Sequence, residues 1–327
     1  VRAAVLDDDH HFRVETLDDP VPGPGDLVLQ VTACGICGSD LKAHDHMPPG
    51  SVLGHEVSGR VVAVGTEVEG WREGQLVASM PLQACGRCRW CLRGEVAHCE
   101  TVELVGVGGR PGGFAELIRV DPATTFALPE SLGELSALTE PLAVGLHTVA
   151  LARIEPGDRV LVIGGGSVGA AVTTWARRFG AREVVVSDPV AHRRDSADVF
   201  GATGVHDPGE GPLPTGFDVV IECVGLPGMI EAAIGAAGVL GRVVVAGVCI
   251  HPDPITPVNA VLKELTVRFA VYYRRQEFEL VAEALASGTI DPAPFVTGTV
   301  GLDGVDAAFA HLLSTTVERK LLVVPGA

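Results

Sequence analysis

Apolar and polar positions are arranged in two different ways along this chain. In the first third, short β-rich runs alternate with Gly and Pro. "DLVLQVTA" (26–33) and "VSGRVVAVG" (57–65) read as strands, and "DPVPGPGD" (19–26) reads as the turn before them. This pattern predicts a barrel or sandwich. From about residue 158 the pattern changes. "RVLVIG" (159–164) is a buried strand, 167–181 has helical spacing with Gly180 near its stop, and "EVVVSD" (183–188) is the next strand. A helix is expected at about 190–200, a strand at 217–225 and a helix at 227–237. Strands at 241–248 and 265–273 and a helix over 276–288 complete the series before a mixed tail. Strands alternating with helices predict an α/β fold with a parallel, doubly wound sheet. One crossover, 207–216, is too rich in Gly and Pro to be an ordinary helix.

Length and composition add bounds. A chain of 327 residues suggests about two domains. With 47% hydrophobic and 20% charged residues, a packed core is expected and disorder is not. No apolar run approaches the ~18 residues of a membrane span, and the N-terminus turns acidic at once, so a cytoplasmic protein without a membrane partner is expected. A net charge of −17 repels nucleic acid and argues against a zinc-ribbon reader of it. Eight cysteines in such a chain point to metal or buried thiols rather than disulfides.

Four of those cysteines lie together. "CGRCRWCLRGEVAHC" spaces Cys85, Cys88, Cys91 and Cys99 so that four thiolates can close around one structural Zn²⁺. An iron–sulfur cluster or four plain buried thiols are the alternatives, and the final spacing and the lack of a Cys-Pro step suit the former poorly. Further on, "VLVIGGGSVG" carries Gly164-x-Gly166-x-x-Gly169 between a strand and a helix, the arrangement that holds a dinucleotide pyrophosphate. A chance glycine run in another α/β protein is the alternative. Asp188 ends the following strand, where a carboxylate accepts ribose hydroxyls and repels a 2′-phosphate, so NAD is expected ahead of NADP. Arg193 is placed either to meet a 2′-phosphate or to lie along the adenine.

Cys37 in "CGICGSD", His55-Glu56 in "GHE" and Glu140 in "TEPLAVGLH" are unused metal-ligating types. Taken singly they are a core thiol, a turn histidine and a solvated charge; together they offer a thiolate, an imidazole and a carboxylate, a set suited to catalytic zinc. These segments, with the cysteine lobe, "GGFAE" (112–116) and the glycine fingerprint, occur in an order and spacing that closely resemble the zinc-dependent medium-chain alcohol and polyol dehydrogenases over essentially the whole chain.

The resemblance implies a GroES-like catalytic domain (1–143 and 275–327, with the zinc lobe at 85–99) and an inserted Rossmann domain (144–274). It implies two zincs per chain, catalytic and structural. Cys37 and His55 would ligate the catalytic zinc, Glu140 would stand at its third position, and Glu56 would be a ligand or an exchangeable one. Asp40 would hydrogen-bond His55, and Ser39 would touch the substrate oxygen. Val168, Val224 and Val248 would line the cofactor, and Arg319 would reach toward its pyrophosphate. A small alcohol, diol or polyol, or the matching carbonyl, would be the substrate. Its hydroxyl, acidified by zinc, would pass a proton to Ser39 while a hydride goes to NAD. A homodimer or homotetramer is expected, with "LTVRFAVYY" extending the nucleotide-binding sheet.

Three departures from the family stand out. Lys42 replaces a relay histidine, and an ordinary lysine, with a pKa of about 10.4, is already protonated at neutral pH. Burial lowers that value, or water, His44 or His46 ends the relay while Lys42 donates to the cofactor ribose; a solvated Lys42 without a role is the plain alternative. The 207–216 crossover is short, and the loop "AHDHMPPGS" (43–51) is short and polar, which favours a small or hydroxylated substrate. Alternatives are a threonine-type or glutathione-adduct dehydrogenase, or a silent NAD-binding relative. The last would have lost a ligand or Ser39, and both are present.

Overall fold

The computed structural model describes residues 1–314 and 318–326; the other residues of the expected catalytic tail, 315–317 and 327, lie outside the described residues. The chain divides into two units, Val1–Glu140 with Arg274–Ala327, and Pro141–Tyr273.

The first unit is built around a sheet in which strand Leu27–Gly35 is central. It pairs antiparallel with Glu56–Val64, and the register sets Gly35 opposite Glu56. On its other side lies the tail strand Leu321–Val323, with Leu322 opposite Gly35. The apolar positions of these strands, including Leu27, Leu29 and Val57, face a core that also takes Phe12, Phe114 and Phe309. The Phe12 and Phe309 rings lie 4.5 Å apart between centroids, within reach for favourable aromatic packing.

The second unit holds a six-stranded, wholly parallel sheet. Its spatial order is Gly204–His206, Glu183–Ser187, Arg159–Ile163, Phe217–Glu222, Ala237–Val245, Thr266–Phe269. Helices connect most of these strands, and the apolar runs of the four inner strands are largely buried, as parallel sheets require. Arg159–Ile163 is the strand at which the order reverses, and in such sheets ligands bind outside the carboxyl ends of the strands at that point.

Several elements differ from their sequence-based expectations. The helix expected at 190–200 is two pieces, Ala191–Asp195 and a 3-10 turn at Asp198–Phe200. Ser196 lies between them and donates its hydroxyl to the His192 carbonyl at 2.7 Å, a local bond that competes with helix continuation. The strand expected over 265–273 ends at Phe269, and Tyr272 adopts φ +50°, which no strand accommodates. The strand expected at 241–248 begins earlier, at Ala237, through a register shift opposite Phe217–Val219, and stops at Val245. The 207–216 segment carries no helix. Glu130–Ala152 is long and apolar enough by composition to cross a membrane, but 72% of its most apolar window is buried in the protein. Non-helical Gly133 (φ 48°, ψ −127°) also breaks it.

Candidate active site and metal centres

The central strand Leu27–Gly35 delivers its last residues into a short helix, Gly38–Ala43, with Cys37 at the N-cap. Asp40 serves both helix and site. One of its carboxylate oxygens accepts the Cys37 backbone N–H at 2.9 Å, and the other is 3.0 Å from His55 Nδ1. The carboxylate is fully buried, so these two bonds satisfy it. An acceptor on Nδ1 keeps a proton there and leaves Nε2 as the nitrogen that faces the centre, where a metal would displace its proton. Ser39 Oγ lies 3.5 Å from that Nε2. Burial on its own pulls the His55 pKa down; the Asp40 charge and hydrogen bond outweigh it and hold the imidazole well above its usual range.

Cys37, His55 and Glu56 bring one donor atom each to within 4.8 Å of one another. The neighbours of Glu56 decide how its carboxylate is used. Oε1 accepts from Lys320 Nζ at 2.5 Å, and Oε2 is buried without a hydrogen-bond partner. An unpartnered buried carboxylate oxygen is costly in a dry interior unless a cation takes it. A thiolate, an imidazole nitrogen and a carboxylate oxygen are the mixed donors zinc accepts in sites that keep a position for substrate, so the residues fit that metal. Lys320 also donates to the Ile36 carbonyl at 2.9 Å. Burial pulls the Lys320 pKa down, but the charges of Glu56, Cys37 and Glu140 raise it overall.

Glu140, expected as the third ligand, is buried at the start of the helix Thr139–Ala152 but stands outside the three-residue group. Lys42 is half-buried in the last turn of the short helix. The ring nitrogens of His44 are both engaged, Nδ1 with the Leu41 carbonyl at 3.0 Å and Nε2 with Asp45 at 3.0 Å, while His46 is exposed.

Cys85, Cys88, Cys91 and Cys99 form the second group, with all four sulfurs within 4.8 Å of one another. Backbone N–H groups point at the sulfurs: Cys88 N to Cys85 Sγ at 3.3 Å, Cys85 N to Cys99 Sγ at 3.2 Å and Thr101 N to Cys99 Sγ at 3.4 Å. Such donors stabilise thiolates. The backbone N–H groups of Cys91 and Glu100 pull Cys88 down to about 6, while burial and its sulfur neighbours push Cys91 up to about 12. Four sulfurs form a closed tetrahedral donor set with no position left for substrate, which suits a structural zinc.

In the second unit, Gly164 and Gly169 shape the turn between strand and helix Ser167–Arg178. Gly164 has φ +96°, and a Cβ on Gly169 would fall 1.7 Å from the Gly164 carbonyl oxygen. Gly166 is the residue before that helix, and Val168 lies in its first turn. Val224 lies against Gly164, within 2.8 Å of where a Cβ there would stand, and Val248 is exposed beside Gly225. Asp188 is buried and works locally as well. Its Oδ2 accepts the Gly165 N–H at 2.7 Å, its Oδ1 accepts the Val190 N–H at 2.8 Å, and Arg193 lies 3.5 Å away. Arg319 is a buried residue of the first unit, its backbone N–H donating to Thr297 Oγ1 at 3.2 Å.

Sequence reasoning missed Lys320, Gly35 and Ser167. The Ser167 hydroxyl is buried without a partner at the start of the glycine-loop helix, and its position inside the fingerprint was the only clue. Lys320 gave no signal, because its partners are 264 and 284 residues distant.

The family model "Alcohol dehydrogenase GroES-like domain" matches residues 23–130, and "Zinc-binding dehydrogenase" matches 167–287. The 2-dehydro-3-deoxy-L-galactonate 5-dehydrogenase of Pseudoalteromonas atlantica is 33% identical, covering 92% of each chain. The chain belongs to the zinc-dependent medium-chain alcohol dehydrogenase family. It is therefore an oxidoreductase with a GroES-like domain and a Rossmann sheet. Sorbitol dehydrogenase of Bacillus subtilis is 28% identical over 100% of this chain and 98% of its own. A protein described as a zinc-binding dehydrogenase from Sinorhizobium meliloti 1021, solved with NADP bound, superposes with a TM-score of 0.90 at 33% identity, covering 99% of each chain.

Proposed function

We propose that this dehydrogenase oxidises a small secondary alcohol, vicinal diol or polyol, and reduces the matching carbonyl, with NAD and two zinc ions per chain. The observation that carries this reading is the group of half-buried Cys37 with buried His55 and Glu56, and Ser39 beside His55 Nε2. Bound zinc supplies Lewis acidity that makes a substrate hydroxyl a stronger acid, and the nicotinamide supplies the hydride acceptor. The chain's own residues do the rest. Asp40 holds the His55 ring so that Nε2 faces the centre. Ser39 takes the substrate proton as it gives up its own, relaying rather than storing it. Both nitrogens of His44 are in use, which supports water as the next acceptor. Polar residues in the loop 43–51 favour a hydroxylated substrate.

The buried carboxylate of Asp188 supports NAD, since a 2′-phosphate beside it would be repelled. Arg193 and the NADP-bound relative make NADP the competitor to run alongside. The Cys85–Cys99 sulfur cage supports a second, structural zinc. Eight free cysteines suit a reducing compartment, the cytoplasm. A homo-oligomer is supported by the edge strand Thr266–Phe269, where Phe269 is 67% exposed and nearby Leu262 is 78% exposed.

The test is a panel of secondary alcohols, vicinal diols, polyols and L-threonine, scored by reduced-nicotinamide absorbance with NAD⁺ and NADP⁺ side by side. Diols or polyols should lead with NAD⁺. A flat response from protein carrying two zincs per chain would refute the substrate reading.

A further inference from the structure

Lys320 is a fully buried cation that none of the steps above uses. Its ammonium joins the two sides of the mixed-ligand centre, donating to the Ile36 carbonyl next to Cys37 and to Glu56 Oε1. The sheet brings it there. Gly35 pairs with Glu56 on one neighbouring strand and with Leu322 on the other. Gly35 also makes room for the second carboxylate oxygen, because a Cβ at this position would fall 1.8 Å from Glu56 Oε2. One oxygen of Glu56 is thus tied to an ammonium, and the other sits unpartnered in a pocket that a missing side chain leaves open.

A carboxylate beside a divalent ion can bind with one oxygen or close on it with both. Closing with both adds a ligand and fills the position a catalytic site must keep open. An ammonium on Oε1 opposes that closure. It occupies one oxygen and shares the negative charge that would otherwise go wholly to the metal. We propose that Lys320 is a positioning residue that restricts Glu56 to a single oxygen toward the metal held by Cys37 and His55, keeping Glu56 exchangeable and one coordination position open. The proposal rests on the metal-centre reading given above. With the cation removed, Glu56 is a buried charge whose remaining strong partner is the metal, so it binds more tightly. Filling the Gly35 space acts in the opposite direction by pushing Oε2 out of its pocket.

The test uses the holoenzyme with cobalt(II) in the mixed-ligand centre, and Cys37→Ser as the blank that retains only the four-cysteine site. In folded Lys320→Met, release of this metal to dipicolinate should slow by about tenfold, and the visible cobalt bands should weaken as coordination number rises. In Gly35→Ala, release should speed up by about tenfold. In a Glu56→Gln background, Lys320→Met should leave the release rate unchanged. Unchanged or faster release in folded Lys320→Met, or an equal slowing in the Glu56→Gln background, would overturn the proposal. Should Lys320→Met fail to fold, Gly35→Ala decides, and unchanged release there overturns it as well. Wild-type protein that takes up only the metal of the cysteine cage would overturn the metal-centre reading with it. Two metals and unaltered release would overturn this inference alone.

Discussion

Cys34 and Cys37 look alike in the sequence and differ in the fold. Cys34 is fully buried in the strand, its sulfur packed where Cβ atoms on Gly54 and Gly113 would come within 2.8 and 2.9 Å. Burial pushes its thiol pKa well up, so it stays a neutral, small apolar group. Cys37 sits three residues on, where the strand has ended and the helix begins, and its sulfur joins His55 and Glu56. Cys34→Ser should therefore keep both metals and activity while lowering stability by about 1–3 kcal/mol, for a hydroxyl in an apolar site. Cys37→Ser should lose one metal per chain and essentially all turnover. Metal analysis and thermal melts on the two proteins check this, and equal metal loss would restore a paired-cysteine reading.

Among the elements, the cysteine lobe depends most on its metal. Between Cys85 and Cys99 it contains two single 3-10 turns, Cys91–Arg93 and Val96–His98, and the strands flanking it, Leu82–Gln83 and Glu103–Leu104, are only two residues long. So little regular structure cannot offset its own chain entropy, and metal binding in comparable small sites supplies on the order of 10 kcal/mol. Stripping metal should open this lobe to trypsin at Arg87, Arg89 and Arg93 before the rest of the chain is cut. A lobe that stays resistant after zinc loss would show that its loops hold themselves.

A second element-scale prediction concerns the turn Pro122–Thr124, which is capped by Asp121 accepting the Ala123 N–H at 2.8 Å. Burial raises the Asp121 pKa above its ordinary 3.8, beyond what the Ala123 bond lowers it. The folded state thus favours the protonated acid. That stabilisation is fully present below the ordinary value and is lost as pH rises through the raised one. Asp121→Asn keeps the acceptor and removes the charge. It should melt at or above the wild-type temperature at pH 7, with the gap closing toward pH 3. A lower melting temperature at pH 7 would refute this account.

At the scale of the whole molecule, the proposed assembly bears on solubility. Unpaired backbone along Thr266–Phe269, with exposed Phe269 and Leu262, is a surface that a second copy would cover by extending the sheet. Phe269→Lys with Leu262→Glu should convert an oligomer to a monomer in light scattering, with both metals retained. Oligomers of unchanged mass would place the interface elsewhere.

Much of the fold could be read from sequence because its signals are local. The glycine fingerprint, the strand–helix alternation and the cysteine spacing each lie within about a dozen residues, so short-range geometry alone dictates them. Local signals failed where a single residue overrode the pattern, as at Ser196 and Tyr272. The mixed-ligand centre is different. The sequence by itself determined the chemical types available, a thiolate, an imidazole and two carboxylates. The tertiary structure decided which of them meet, and it brings the Glu56 carboxylate to Cys37 and His55. That choice depends on strand register, which sets Gly35 opposite Glu56, and on a lysine brought in by a strand from the far end of the chain. Register and long-range pairing are properties of the folded sheet, so no window of sequence contains them.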